Sequence, residues 1–148
     1  MTLYTHPLTD AQQSFPVPLT YDQRLRSRLF LHLTTQKAAH IILPRGMRLR
    51  SGLHIQADDG SVLRIESAGE DVSVVEAEGC DLARACYHLG NRHIPAAINK
   101  VSVAYQRDTV IDDMMKGLGF HVKHRNLPFE PESGAYAGHE HKTQRAGH

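Results

Sequence analysis

Residues 72–127 read VSVVEAEGCDLARACYHLGNRHIPAAINKVSVAYQRDTVIDDMMKGLGFHVKHRNL, and the period of their apolar positions decides the fold. Val72–Ala77 is short and valine-rich, a strand pattern. Across Asp81–Leu89, the residues Leu82, Ala83, Cys86, Tyr87 and Leu89 fall near helical spacing. Ile94–Ile98 adds a short strand, and Val101–Tyr105 another. Thr109–Leu118 predicts a second amphipathic helix, with Val110, Ile111, Met114, Met115 and Leu118 facing inward. Thr109-x-x-Asp112 resembles a capping box with a shorter acid, and Gly117 and Gly119 supply the stop. Phe120–Leu127 predicts the last strand. The order is β-α-β-β-α-β, the ferredoxin-like split βαβ arrangement.

Working outward, the first 70 residues look like β-structure. Arg28–Thr34 sets Leu29, Leu31 and Leu33 on one face against Phe30 and His32 on the other. Ala39–Leu43 is a second strand, closed by the turn signal Pro44-Arg45-Gly46. His54–Ala57 and Val62–Glu66 flank Asp58-Asp59-Gly60, a hairpin signal. Ser14–Tyr21 holds two prolines and leads into a helical turn at Asp22–Ser27. Ser67-Ala68-Gly69-Glu70 is small and polar, a boundary. From about Gly134 onward there is no apolar period, as in a mobile tail. The expected architecture is α+β: a small β domain over 1–70, a ferredoxin-like domain over 71–136 and a flexible His-containing tail over 137–148.

Composition narrows the function. Hydrophobic residues make up 41% of the 148 residues and charged residues 22%, which is the balance of a globular chain. Lys+Arg 17 against Asp+Glu 16 argues against a polybasic nucleic-acid binder. No apolar run nears the roughly 18 residues of a membrane helix, and MTLYTHPLTDAQQ has no signal-peptide apolar core. The chain is expected to be soluble and cytoplasmic, with neither nucleic acid nor membrane as partner. There is no Gly-rich phosphate loop and no Gly-x-Ser-x-Gly. Histidine is the outlier, with 11 residues, and neutral imidazole is the commonest metal ligand.

Cys80 and Cys86 are six apart, about 9 Å along a helix axis, too far for a disulfide and not zinc-knuckle spacing. They read as small buried hydrophobes. Asp112-Asp113 diverge on a helix and read as a solvated N-terminal face. His6, His32, His40 and His54 are scattered at no ligand spacing and read as surface. His121 and His124, three apart on a strand, face opposite sides. His88 sits on the first helix, and His93 lies just past its end, in a loop where function concentrates. In the tail, His139-Glu140-His141 offers two imidazoles in a flexible segment, and His148 follows. Imidazole with oxygen co-ligands suits Ni(II), Cu(II) or Zn(II).

Tyr87-His88-Leu89-Gly90-Asn91-Arg92-His93-Ile94-Pro95 resembles the YHLGNRHxP motif of the urease accessory protein E family, nickel metallochaperones of urease maturation. Asp112-Asp113-Met114 with Gly117-Leu118-Gly119 is similar to that family's DDMLxxLG. Pro128-Phe129-Glu130-Pro131-Glu132 with Gly134-Ala135-Tyr136 is similar to its PFEPExGAY. Leu19–Leu29 and Leu43-Pro44-Arg45-Gly46 resemble its N-terminal pattern. The resemblance implies a homodimer, a β domain likened to a chaperone peptide-binding domain, and a ferredoxin-like metal-binding domain. It implies that His93, which ends the GNRH motif, is the nickel ligand, shared across the dimer interface. It assigns His139, His141 and His148 to completing the coordination. The implied partners are the urease accessory GTPase and the urease apoprotein complex; the cargo is Ni(II), with Zn(II) fitting the same donors. Two departures stand out. Tyr105-Gln106-Arg107-Asp108-Thr109 lacks both histidines of the YxHDH segment of some members. The tail is mixed rather than a polyhistidine run.

Such a carrier holds its ion without trapping it. Two imidazoles alone bind modestly, and tail imidazoles raise affinity through effective concentration. Affinity falls as pH drops through about 6.5, because protonated imidazole cannot ligate. Two other readings compete with the carrier. One is a small metal-dependent hydrolase using His93 and a carboxylate, for which the chain offers no HExxH and no local ligand triad. The other is a peptide-binding chaperone with incidental histidines.

Overall fold

A computed structural model describes residues 2–4 and 14–134. The chain divides into two compact units, one ending at Glu70 and the other beginning at Asp71.

The first unit holds two three-stranded sheets. One has the order β1-β4-β3, from Thr2–Tyr4 (β1), Arg28–His32 (β3) and Ala38–Ile42 (β4). The other has the order β2-β6-β5, from Phe15–Leu19 (β2), His54–Gln56 (β5) and Val62–Ser67 (β6). Leu29 and Ile41 from the first sheet and Leu19, Ile55 and Leu63 from the second are buried in one apolar cluster. The alternation read in Arg28–Thr34 holds, because Leu29 is buried while Phe30 is exposed. The Asp-Gly hairpin holds as well. Gly60 takes φ +84, a left-handed value that suits glycine, and Asp59 accepts from the Ser61 amide at 2.9 Å.

The proline stretch differs from expectation. Phe15–Leu19 is a strand, pairing parallel with β6. Pro16 and Pro18 share one parity, so both missing N–H groups lie on the free edge of a strand at the sheet margin, where proline is tolerated. Val17 and Leu19, of the other parity, are buried, and Leu19 accepts from the Ala68 amide at 2.9 Å. The helical turn starts earlier than expected and is shorter, Tyr21–Arg24 (α1). Thr20 and Gln23 cap it reciprocally, each side chain meeting the other's backbone amide.

The second unit has the element order β7 (Gly69–Glu76), α2 (Gly79–Asn91), β8 (Ala97–Ile98), β9 (Ser102–Gln106), α3 (Thr109–Gly117) and β10 (Lys123–Pro128). Its four-stranded sheet has the order β10-β7-β9-β8, with β9 antiparallel to both β7 and β8. Val75, Val103 and Tyr105 from the strands pack with Ala85 and Leu89 of α2 and Ile111 and Met115 of α3. The polar stretch expected as a boundary is already strand at Gly69-Glu70, where the Glu70 carboxylate accepts from the Tyr21 amide at 2.8 Å.

Three expectations for this unit are corrected. The cap of α3 is Asp108, whose carboxylate accepts from the Val110 and Ile111 amides, so no Thr109 box forms. The buried stripe of α3 is Ile111, Asp112 and Met115, while Val110 is 71% exposed and Leu118 37%. Cys80 is exposed and Cys86 half-buried, because α2 turns Ala85 and Leu89, rather than the cysteines, fully inward.

Candidate metal centre

His93 owes its position to the way α2 ends. The Ile94 amide donates to the Leu89 carbonyl and the His93 amide to the Gly90 carbonyl, both at 3.0 Å. This is the Schellman pattern, closing the last carbonyls of the helix. Leu89 is fully buried, and Ile94 packs against the same apolar cluster, the hydrophobic contact that accompanies the motif. The residue just past the cap must then be left-handed, and here it is His93, at φ 56, the one non-glycine with positive φ among the described residues. Glycine ordinarily fills this place, because a Cβ there costs on the order of 1–2 kcal/mol. A histidine held at a position suited to glycine is a candidate functional residue. Its imidazole is exposed.

The chain returns to this turn from its C-terminal side. Phe129 is fully buried, and the Glu132 amide donates to the Ala96 carbonyl at 2.8 Å. Burial pushes the Cys86 thiol up, and the Glu132 carboxylate adds to the shift, so Glu132 also acts on the helix that carries the turn. The Pro128–Glu132 stretch thus anchors the start of the tail three positions beyond His93. His139, His141 and His148 lie outside the described residues, as does His6. Among the described residues, no group of three or more His, Cys, Asp or Glu side chains gathers about one point.

The remaining histidines are placed as follows. His88 is half-buried on α2, its ring T-shaped to Tyr87 at 5.3 Å. His32 and His40 are exposed and meet the Phe30 ring edge-on at 5.1 and 5.6 Å. His121 precedes β10 rather than lying on it.

Sequence reading missed a polar cluster inside the same unit. Asp112, read as solvated, is 4% exposed. Its carboxylate accepts from the Tyr105 hydroxyl at 2.7 Å and meets His124 Nε2 at 2.7 Å. Burial pushes the Asp112 carboxyl up, but Ser73, Tyr105 and His124 outweigh it and hold the group below its ordinary value. Burial, together with the Asp112 charge, raises the Tyr105 phenol far above its usual range. The Ser73 hydroxyl is buried and acts on both groups, although it lacks hydrogen-bond geometry to any partner among the described residues. The available signal was helix phase: with Asp108 as cap, Asp112 falls beside Ile111 and one turn before Met115. The network ties β9, α3 and β10 together.

Comparison with known proteins gives concordant results. Two family profiles match the chain: "UreE urease accessory protein, N-terminal domain" over residues 4–68 and "UreE urease accessory protein, C-terminal domain" over residues 70–148. The chain is 46% identical over 121 residues to the urease accessory protein UreE of Alkalilimnicola ehrlichii, covering 81% of this chain and 74% of the relative. It is 42% identical over 140 residues to that of an Enterobacter species, covering 93% and 89%. It is 41% identical over 145 residues to that of Acinetobacter baumannii, covering 95% and 91%.

Proposed function

This chain belongs to the UreE family of urease accessory proteins, and from that premise we propose that it carries Ni(II) to the urease active site during assembly. The family is one of accessory chaperones in urease maturation, not of enzymes, which removes the hydrolase reading. In the proposal, the chain is a cytoplasmic homodimer. His93 from each protomer meets one ion at the two-fold axis, and His139, His141 and His148 supply further donors. Zn(II) fits the same donor set. The partners are the urease accessory GTPase and the urease apoprotein complex. The second unit is read as ferredoxin-like, supported by its sheet order β10-β7-β9-β8 with β9 antiparallel to both β7 and β8.

One observation carries the reading. Among the described residues, the one non-glycine with positive φ carries an exposed imidazole, and the stretch that leads to the tail is tied near it by the Glu132–Ala96 bond of 2.8 Å. His139 lies seven positions beyond Glu132, a span of up to about 23 Å when extended. Tail histidines can therefore reach the His93 turn. The rigid turn presents His93 at no further ordering cost, whereas each tail bond must offset the entropy of fixing several residues, on the order of 1 kcal/mol apiece. Tight but reversible holding follows, because the tail ligands can leave and open positions for a receiving partner.

Calorimetric titration with Ni(II) and Zn(II) tests this. His93→Ala should abolish the tight site, because it removes both axis ligands at once. His139→Ala or His141→Ala singly should cost less, since each can substitute for the other, and His88→Ala should cost least. A titration in which His88→Ala is worse than His93→Ala overturns the assignment. Light scattering showing a monomer at every concentration, with metal present, sinks the shared site.

A further inference from the structure

In the first unit, the segment Arg24–Arg28 runs alongside the segment Leu43–Leu49. The Leu43 amide donates to the Ser27 carbonyl at 2.8 Å, and the Leu49 amide donates to the Arg24 carbonyl at 3.3 Å. Residues rising from 43 to 49 thus lie against residues falling from 27 to 24, at the roughly 5 Å spacing of hydrogen-bonded backbone. This alignment gathers Arg26, Arg28, Arg45 and Arg48 into one neighbourhood, all four exposed. Leu43 and Leu49 are buried, which anchors both ends of the second segment and leaves the arginines to solvent. Leu25, between Arg24 and Arg26, is 44% exposed, an apolar spot within the basic patch.

None of the four guanidiniums has an ion-pair partner among the described residues. Three of the unit's carboxylates are engaged elsewhere: Asp59 pairs with Lys37 at 3.4 Å, Glu66 with Arg64 at 2.6 Å, and Glu70 with the Tyr21 amide. Asp22, nearest in sequence, pairs with none of them. A nearly neutral chain, formally +1, has thus gathered at one place four guanidiniums that find no ion-pair partner among the described residues. Like charges held together oppose folding, so their gathering is explained by something outside the chain. Guanidinium forks match carboxylates in two-bond geometry, and arginine with an apolar centre is the make-up of protein-docking surfaces.

We propose that Arg26, Arg28, Arg45 and Arg48, around Leu25, form a docking surface for a carboxylate-rich segment of a partner protein. A protein is favoured over a nucleic acid because the patch lacks an aromatic stacking platform among its residues and the chain lacks the overall basic charge of a polyanion binder. The proposal does not depend on nickel carriage, since none of these residues is among the proposed metal ligands.

Fluorescence anisotropy on the full chain tests it. The probes are a labelled twelve-residue peptide with Glu at alternate positions, the same peptide with Gln for Glu, and a single-stranded DNA twelve-mer. Saturable binding of the Glu peptide, weakened at least tenfold by Arg26→Ala with Arg45→Ala and Arg48→Ala, is the expected result. Raising the salt should weaken it further. Arg64→Ala, outside the patch, and His93→Ala should leave it unchanged, so that failure here and failure of the metal reading are told apart. If the triple variant unfolds by circular dichroism, Arg→Lys at the same three positions keeps the charge and should still lose part of the affinity, because the fork is gone. Equal binding of the Gln peptide, tighter binding of the DNA, no binding of the Glu peptide, or unchanged binding by the folded arginine variants overturns the proposal.

Discussion

Replacing His93 with glycine should make the metal-free protein more stable while destroying its tight metal site. His93 takes φ 56, in the left-handed region. A Cβ in the left-handed region costs on the order of 1–2 kcal/mol, and glycine removes that cost. Glycine also frees the unfolded chain, which takes back roughly 0.5–1 kcal/mol. The net gain is about 0.5–1 kcal/mol. His93→Ala is the control, since alanine keeps the Cβ and the strain but removes the imidazole. Urea denaturation of the metal-free proteins measures the difference, with the slope held constant so that only the midpoint moves. The expected order is His93→Gly above His93→Ala, with wild type close to the alanine variant. Ni(II) should reverse the ranking by stabilising wild type alone. If His93→Gly is less stable than His93→Ala without metal, the left-handed turn is not formed and the argument from strain fails.

Asp112→Ala should destabilise the second unit by about 2–3 kcal/mol, because it leaves the Tyr105 hydroxyl unpaired in the core and removes the partner of His124; a thermal melt within a degree of wild type would refute this. The same group sets an acid limit. Its folded carboxyl sits below its ordinary value of about 3.9, so its contribution is fully present above that value and is lost as pH falls through the lower folded value. Stability should therefore hold down to about pH 5 and decline below about pH 4, with Asp112→Asn showing a shallower decline relative to its own neutral value. Truncation after Tyr136 should leave the melt and dimerisation unchanged while weakening Ni(II) binding, and an identical calorimetric isotherm would show the tail histidines to be inert.

Much of this protein is local, and what is local was legible in the sequence. The β-α-β-β-α-β order follows from apolar periods in residues 72–127, because each element buries one face and its spacing records which. The Asp59-Gly60 turn, the outward Phe30 and the end of α2 before His93 are similarly written in a few adjacent residues. The motif around His93 and the Pro128–Glu132 stretch are enough by themselves to point to the family.

What depended on contacts distant in sequence was not legible. The two-proline stretch reads only as leading into a helical turn; it is a strand because β6, some 48 positions on by the Phe15–Leu63 register, pairs with its other edge. Asp112 looked solvated on its helix, because nothing adjacent to it announces Tyr105 and His124 on two other elements. Its burial is tolerable only once both are in place. The left-handed turn at His93 goes with Ile94 packing into the core beside Leu89, and Glu132 meets Ala96 three residues past the buried Phe129. A sequence records each residue's own preference. These positions are held against that preference by neighbours that the folded backbone alone brings together.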